Sequence, residues 1–293
     1  MMSDMSRKIA IAVAPAARHQ DEKSEYRGTK EEYISVMTPE EIAGDVIECY
    51  KNGATIVHMH VRDENGHLTN DITQFKRTIS LIKDKCDILI EGSTGGVSEL
   101  SVEERGFVIS LPEVEISAIN MGSVNLGEAA FVNEPEDIRI WAKMMQDYNV
   151  VPVVQCFEPG MLETVRVLKE EGVLKLPIIY GIPMGFVGSQ PSCSVNMQYM
   201  VNLMPDNAVW YFQQHGMRDL SMLAAAVAAG AKIIRVGFED SIFYAPGKTA
   251  KTNAELVEKI AEVVRLIGYE VATADEVREF IGLNNINKYA RKQ

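Results

Sequence analysis

Residues 38–63 read TPEEIAGDVIECYKNGATIVHMHVRD and contain the two kinds of segment from which most of the chain is built. Thr38 suits a helix cap, Pro39 the first helical position and Glu41 the third, so a helix is predicted to begin here. The apolar run over 55–61 that follows is rich in β-branched residues and is typical of a buried strand. This stretch therefore predicts a helix that is followed by a buried strand.

The same unit recurs along the chain. Strands are predicted at 9–15, 55–61, 87–93, 114–120, 150–157, 176–183, 208–215 and 231–238. Helices are predicted at 40–52, 71–84, 101–110, 136–148, 160–172, 194–203, 218–229 and 253–267, with a short last one at 274–282. Apolar strands that alternate with helices indicate a parallel sheet covered on both faces, and eight such units predict an α/β protein with the TIM (β/α)8 barrel fold. An open doubly wound sheet is the alternative, but no GxGxxG motif follows the first strand.

The chain is predicted to form a single barrel domain over residues 1–293, because no shift in composition and no Pro/Ser-rich linker divides it. A long polar loop is expected after the first strand, at about 16–37, and a loop of that length is usually a lid or a binding loop. A short helical extension is expected at about 273–293.

Composition excludes several classes of function. The formal net charge is -12 without a long basic run, which argues against nucleic-acid and anionic-membrane partners. The four cysteines are widely spaced and form no CxxC pair, so neither a zinc ribbon nor a disulfide framework is expected. Pro15 interrupts the first apolar stretch, which is interpreted as a strand rather than a signal peptide, and a cytoplasmic location is expected.

The candidate active site lies where the strands end, because TIM-barrel enzymes place it at the carboxyl ends of their strands. His58 and His60 share a face at the end of the second strand. Glu239 follows the eighth strand, which is separated from the second only by the first. Two imidazoles and one carboxylate are a recurrent ligand set for catalytic zinc. The alternative is that the two histidines only hydrogen-bond within a polar layer, and the pattern leaves both interpretations open.

A glycine-rich turn is the second candidate feature. The run GSTGG at 92–96 places small residues and backbone N–H groups at the mouth of the barrel, just before a helix. Such a turn suits an anionic group such as a carboxylate. A plain connection between strand and helix fits the same residues.

Several motifs in this order resemble the β-keto acid cleavage enzyme family. They are TPEEI at 38–42, HMHVRD at 58–63, STGG at 93–96, NMGSVN at 120–125, RVGFED at 235–240 and GKTAKTNAELV at 247–257. The resemblance extends from the first strand to the eighth helix. It implies a zinc-dependent TIM barrel, a homotetramer in this family, that condenses a β-keto acid with acetyl-CoA and yields acetoacetate and a new acyl-CoA.

The resemblance also implies roles for individual residues. His58, His60 and Glu239 would bind Zn²⁺, and Asp240 would be the base, paired with Arg235. Ser93 and Gly96 would hold the carboxylate end of the substrate, with Ser117 or Asn120 nearby. Gln155 is a further candidate substrate contact. Asp240 and Glu239 have opposite strand parity, so both can face the pocket only if the strand bends or ends there.

Two departures from the family pattern bear on the substrate. Relatives that act on amino-bearing keto acids have a Glu at the tip of the first strand, where this chain reads PAARHQ at 15–20, and Gln155 stands where relatives often have an acid. A β-keto acid with a neutral or anionic tail is therefore predicted, with Arg18 or His19 near that tail. Lys248, Lys251 and Arg218 are candidate contacts for acetyl-CoA, although each also fits a solvated surface residue.

Three other readings compete. Amidohydrolases place HxH on the first strand and add histidines after strands five and six, where this chain reads QCFE and GIPMG. A divalent-metal-dependent aldolase or lyase usually carries its HxH late in the chain. A non-catalytic, metal-stabilised barrel that binds a carboxylate would have no use for the Arg235–Asp240 pair.

Overall fold

Eight parallel strands form a closed barrel in the computed structural model of the chain, which describes residues 5–15, 38–62, 68–69, 71–95, 100–127, 129–175 and 177–285. The strands are β1 Lys8–Val13, β2 Ala54–His58, β3 Leu89–Ser93, β4 Val114–Asn120, β5 Val151–Gln155, β6 Ile179–Met184, β7 Val209–Gln214 and β8 Ile233–Val236. Each strand pairs with the next, and β8 closes on β1 in a register that runs from Ala10↔Ile233 to Val13↔Val236. The predicted TIM barrel is confirmed.

All nine predicted helices are present. They are α1 Pro39–Lys51, α2 Ile72–Lys83, α3 Val102–Gly106, α4 Pro135–Tyr148, α5 Pro159–Glu170, α6 Ser194–Leu203, α7 Ser221–Ala228, α8 Asn253–Leu266 and α9 Ala274–Phe280. The predicted helix over 101–110 is α3 followed by the 3₁₀ helix Phe107–Ser110. At α1, the Oγ1 of Thr38 accepts from the N–H of Glu41 at 3.2 Å and the Glu41 Oε2 accepts from the N–H of Thr38 at 2.9 Å. Within the described ranges, no helix is long and apolar enough to cross a membrane.

The interior of the barrel is packed from its amino-terminal end. Small and branched side chains of the strands, together with one aromatic ring, form an inner cluster with residues from α9 and the turn after it: Ala10, Ala12, Ile56, Leu89, Ile116, Val151, Val153, Ile179, Tyr211, Ile233, Val277, Ile281 and Leu283. A larger apolar cluster fills the space between the strands and the surrounding helices. Because apolar groups fill the amino-terminal part of the interior, polar side chains of the barrel concentrate at the carboxyl ends of the strands.

Three short hairpins among the described residues were not predicted. They pair Val61–Arg62 with Leu68–Thr69, Val124–Leu126 with Ala129–Phe131, and Phe243–Ala245 with Lys248–Thr249. Each follows a barrel strand, so each lies at the end of the barrel where the candidate site is expected. Strands of two or three residues are too short to show an alternating pattern in the sequence.

An arginine on α9 fastens this helix to the amino-terminal end of the barrel. Arg278 donates to the Glu115 Oε1 at 2.9 Å and, through two bonds of 2.7 Å, to Asp87. We expect Arg278→Met to lower the free energy of unfolding by about 3 kcal/mol, because it leaves the buried Glu115 carboxylate without its main cation. Lys83, whose Nζ lies 3.7 Å from Glu115, limits the loss. Urea unfolding measures the change.

The matched control is Arg166→Met on the exposed face of α5. Arg166 pairs with Glu163 and Glu170, both of which are exposed. Exposed ion pairs contribute little to stability, so this control should unfold at nearly the urea concentration of the parent. Equal midpoints for both variants would contradict the role given to Arg278.

Candidate active site

Two histidines and a glutamate converge at the carboxyl ends of β2 and β8. The Nε2 of His58 lies 3.2 Å from the Nε2 of His60 and 3.9 Å from the Oε1 of Glu239. One ligand atom from each residue lies within 4.8 Å of the other two. Two nitrogen ligands of one tetrahedral zinc ion are about 3.3 Å apart, given Zn–N bonds of about 2.05 Å. The donor set therefore fits a single divalent cation.

The distance between the two imidazoles does not by itself decide their role. A separation of 3.2 Å also suits a hydrogen bond between two rings in complementary tautomers. The carboxylate of Glu239 favours the metal interpretation, because it reaches the same point from the opposite end of the sequence.

The carboxylate of Glu91 lies close to the outer nitrogen of His58. It lies beside His58 in the register of β2 and β3, is completely buried, and places its Oε1 3.3 Å from the Nδ1 of His58. The Tyr211 hydroxyl donates to the other Glu91 oxygen at 3.3 Å. A carboxylate at Nδ1 favours the tautomer whose Nε2 lone pair is available to a metal.

The same carboxylates affect the protonation of His58. Burial alone lowers the pKa of His58, but the charges of Glu91 and Glu239 outweigh burial and raise it. Glu91 was missing from the predicted site residues. The available signal was an acid inside the apolar run DILIEGS. Its register with His58 is visible only in the structure.

A turn after β8 brings Glu239 and Asp240 to the same arginine. The strand ends at Val236, and Gly237 has a φ of 140°, where a Cβ would collide with the backbone of Ala14. The N–H of Asp240 then donates back to the Gly237 carbonyl at 2.9 Å. Strand parity therefore no longer applies at Glu239, and the conflict between the two neighbouring carboxylates disappears.

Arg235 and Asp240 form a buried pair with two hydrogen bonds. The Nε of Arg235 donates to the Asp240 Oδ2 at 2.7 Å, and its Nη2 donates to Oδ1 at 2.6 Å. The same Nη2 lies 3.4 Å from Glu239. Burial raises the pKa of Asp240, while the charge of Arg235 acts in the opposite direction. A buried carboxylate in a fixed orientation beside the candidate metal triad is a candidate general base.

Three of the predicted substrate contacts lie on the inner face of the strands. Ser93 ends β3, and its Oγ accepts from the N–H of Gly95 at 3.0 Å. Asn120 and Gln155 are partners in the register of β4 and β5. Gln155 is buried, and its Oε1 has no hydrogen-bond partner within the described residues. The unsatisfied oxygen of Gln155 and the end of β4 are candidate contacts for a polar ligand.

Ser117 requires a correction. It alternates with Ile116, which belongs to the inner cluster, so its side chain points toward the helices. Its Oγ lies 3.3 Å from the place that a Cβ on Gly92 would occupy, beside Val108. Residues 117 and 120 of one strand face opposite sides, and we withdraw Ser117 from the substrate contacts.

The remaining predicted residues lie at the rim or outside the described ranges. Arg218, Lys248 and Lys251 are exposed, and the Arg218 guanidinium lies 5.3 Å from the ring centre of Phe243 in the hairpin after β8. Gly96, Arg18 and His19 are among the residues that the structure does not describe.

Residues 30–283 match the family model described as beta-keto acid cleavage enzyme. The chain belongs to this family. The 3-keto-5-aminohexanoate cleavage enzyme of Fusobacterium nucleatum is 33% identical over 87% of this chain and 93% of its own length. The 3-dehydrocarnitine:acetyl-CoA trimethylamine transferase of Rhizobium meliloti is 30% identical over 84% of this chain and 89% of its own.

A solved structure shares the fold of this β-keto acid cleavage enzyme family member. ObcA, in a ternary complex with a C4-CoA adduct and oxalate, has a TM-score of 0.70 at 16% identity. The match covers 84% of this chain and 67% of ObcA. At this identity the likeness concerns the fold alone.

Asn253 supports the turn that carries the two acids of this family member. Its Oδ1 accepts from the N–H of Phe238 at 2.8 Å, and its Nδ2 donates to the Pro15 carbonyl at 3.3 Å and to Asp45 at 2.7 Å. No sequence pattern indicated this role, because the three partners come from different parts of the chain. The first residue of α8 thus fastens the end of β1 to the turn after β8.

The carboxyl group of Asp45 makes stability depend on pH. Burial raises its pKa to about 6, although the hydrogen bond from Asn253 opposes the rise. The folded state therefore binds this proton more tightly than the unfolded chain does, and stability falls as pH rises from about 4 to about 6. We expect Asp45→Asn to lack this loss. The free energy of unfolding of the variant, compared with that of the parent, should therefore be about 1–3 kcal/mol higher at neutral pH than at pH 4. Urea unfolding of parent and variant at the two pH values measures it.

The control for this prediction is Asp206→Asn, at an exposed position. Its stability relative to the parent should be the same at both pH values. If the difference between the parent and Asp45→Asn is also independent of pH, the Asp45 carboxyl does not cause the loss of stability.

Removal of the charge on Glu91 should weaken metal binding. Glu91→Gln keeps the shape of the side chain but no longer places a carboxylate at His58 Nδ1. Loss of such a partner typically costs about 10–100-fold in metal affinity. Competition with a chromophoric zinc chelator measures the dissociation constant. Tyr211→Phe, which removes only the hydroxyl bonded to Glu91, should have a smaller effect in the same direction. Parent-like affinity in Glu91→Gln would contradict the role of Glu91 in orienting His58.

Proposed function

We propose that this β-keto acid cleavage enzyme family member condenses a β-keto acid with acetyl-CoA and yields acetoacetate and a new acyl-CoA. The observation that carries the proposal is the convergence of His58, His60 and Glu239 beside the buried Arg235–Asp240 pair. The names of its relatives support the reaction class, since one cleaves a 3-keto acid and another uses acetyl-CoA.

Zinc is the metal that we propose for the three ligands. His58, His60 and Glu239 would hold it, and Glu91 would orient His58. When bound, the ion would act as a Lewis acid toward the keto group and make the neighbouring C–H more acidic. Two imidazoles and a carboxylate also accept other divalent ions, so metal analysis of the purified protein belongs to the test.

Asp240 is the proposed base for the carbon between the keto and carboxylate groups of the substrate. Arg235 holds both oxygens of this carboxylate and fixes its direction. After Asp240 takes the proton, the substrate carbanion attacks the thioester carbon of acetyl-CoA and the CoA thiolate leaves. The thiolate then adds to the original keto carbon, the C–C bond breaks, and Asp240 returns its proton to acetoacetate.

Substrate binding is assigned to polar groups on the other side of the mouth. Ser93, Gly96, Asn120 and Gln155 are proposed contacts of the substrate, with Ser93 and Gly96 at its carboxylate end. Lys248, Lys251 and Arg218 are proposed contacts of CoA, supported by their position on and near the hairpin after β8.

The tail of the β-keto acid is proposed to be neutral or anionic. The names of two relatives refer to an amino acid derivative and to trimethylamine, which are cationic at neutral pH. The family resemblance implies an acid in the stretch 15–20 and at position 155 when the tail is cationic, whereas this chain has no acid in that stretch and has Gln155. Arg18 is the proposed contact of an anionic tail.

The assembly is also part of the proposal. We propose one domain over residues 1–293, a homotetramer and a cytoplasmic location. The tetramer rests on the family resemblance, and the location rests on the four dispersed cysteines and on the interpretation of the first apolar stretch as a strand.

The first experiment incubates the purified, zinc-loaded protein with acetyl-CoA and β-keto acids that have neutral, anionic or cationic tails. Mass spectrometry follows acetoacetate and the new acyl-CoA. Zinc-dependent formation of both products supports the proposal, and the preferred tail tests the substrate argument. Cleavage without acetyl-CoA would indicate a lyase, and bound zinc without turnover of any acid would indicate a carboxylate-binding barrel.

A further inference from the structure

A buried arginine outside the metal-binding triad lies directly behind the turn that ends β3. Arg105, on α3, is 4% exposed. Its guanidinium donates to three amide oxygens: the Thr94 carbonyl at 2.9 Å, the Val132 carbonyl at 3.0 Å and the Asn133 Oδ1 at 2.6 Å. All three acceptors belong to segments that follow β3 or β4.

Two aromatic rings flank the same guanidinium. Its central carbon lies 4.4 Å from the ring centre of Trp141 and 5.1 Å from that of Phe131. Burial lowers the pKa of Arg105, but an arginine remains charged at physiological pH. The rings and amide oxygens together fix a positive charge in one orientation.

The turn that Arg105 holds carries a proposed contact for the substrate carboxylate. Thr94 follows Ser93, and both its N–H and its hydroxyl donate to the Ala118 carbonyl of β4, at 3.2 and 3.1 Å. A Cβ on Gly95 would lie 3.5 Å from the ring of Phe131. Residues 93–95 are therefore held by β4 on one side and by Arg105 and Phe131 on the other.

Asn133 extends the connection to the segment after β4. Its Nδ2 donates to the Gly122 and Phe131 carbonyls, both at 3.3 Å, and its N–H donates to the Ser123 Oγ at 2.9 Å. Gly122 and Ser123 come just after Asn120, another proposed contact. One guanidinium thus joins two segments that are both proposed to meet the substrate.

We propose that Arg105 is a positioning residue for the carboxylate of the β-keto acid, which it orders through residues 93–95 and Asn120 without touching the substrate. The inference rests on the proposed function. Burial of a guanidinium is costly, and an apolar side chain between two aromatic rings would pack without that cost. The arginine instead fixes the positions of three oxygen atoms, two from backbone carbonyls and one from the Asn133 side chain. It also places a positive charge behind the turn.

The test compares Arg105→Met and Arg105→Lys with the parent, all as zinc-loaded full chains. Isothermal titration calorimetry measures the binding of acetoacetate, itself a β-keto acid, and steady-state assays give kcat and a separate KM for each substrate. We expect Arg105→Met to raise the acetoacetate Kd about tenfold or more, since small displacements of positioning groups have large effects. Arg105→Lys, which keeps the charge but not the fork of donors, should lie between the two.

The control is Arg139→Met on α4, where a partly exposed arginine pairs with Glu171 at 2.8 Å. Its Kd, KM values and kcat should match those of the parent. A selective rise in the KM of the β-keto acid, with kcat and the KM of acetyl-CoA within about threefold of the parent, supports positioning because uniform binding alone is lost.

Several outcomes would overturn the inference. Parent-like acetoacetate binding in folded, zinc-replete Arg105→Met would do so, as would an equal rise in the KM values of both substrates, which indicates general damage. If Arg105→Met does not fold, Arg105→Lys decides by the same measure. If the parent turns over β-keto acids and both variants bind acetoacetate normally, only the role of Arg105 is refuted. If the parent binds no β-keto acid, the proposed function is refuted as well.

Discussion

Asp240→Asn should retain its metal and lose about 10²–10⁴-fold in kcat, the range associated with a general base. The amide has nearly the shape of the carboxylate and its oxygen can still accept a hydrogen bond from Arg235. It cannot take a proton from carbon. The three metal ligands are unchanged, so zinc should remain at one ion per chain.

The measurement combines kcat for the preferred β-keto acid with zinc content determined by mass spectrometry. Because the substitution leaves the buried Arg235 with less compensating charge, thermal unfolding must show that the variant is folded. Asp240→Glu keeps a carboxylate and should preserve more activity than Asp240→Asn. If folded Asp240→Asn turned over substrate like the parent, Asp240 would not be the base, and the non-catalytic reading would gain support.

His60→Ala should lose tight metal binding, with an affinity more than about 100-fold below that of the parent. This loss exceeds the one expected when a residue that only contacts a ligand is replaced. Activity should fall with the metal content. His60 is a better choice than His58, because removal of His58 would also leave the buried carboxylate of Glu91 without its imidazole partner.

Equilibrium competition with a zinc chelator measures the affinity of the His60→Ala variant. His215→Ala provides the matched control, since His215 stacks on Phe186 with ring centres 4.5 Å apart and is not one of the three candidate ligands. Unchanged zinc affinity in His60→Ala would leave the two histidines as a hydrogen-bonded pair in a polar layer. Loss of affinity in both variants would point to a change of the whole barrel rather than of one ligand.

Much of the fold could be predicted because the local signals agree with one another. The capping box at Thr38 and Glu41 is present as the sequence pattern indicates. The apolar strands alternate with helices along the whole chain, and this regularity fixes the barrel. The shared face of His58 and His60 follows from the period of a strand, which is a local property.

The parts that could not be predicted depend on groups that are distant in sequence. Glu91 acquires its role from the register between β2 and β3, and Arg105 and Asn253 acquire theirs from carbonyl groups of several separate segments. Ser117 was misassigned because the motif was carried over without its strand parity. The turn at Gly237 ends β8 early, and only its three-dimensional course shows how Glu239 and Asp240 can both reach Arg235.

The closure of β8 on β1 also imposes an order in time on the candidate metal site. His58 and His60 are synthesised within the first quarter of the chain, whereas Glu239 comes only after β8, in the last quarter. A nascent chain that has already folded its first four strands still lacks the carboxylate. The full set of three candidate ligands can form only when the last strand has left the ribosome and paired with the first. Binding of a metal by this set would therefore come late in synthesis and folding.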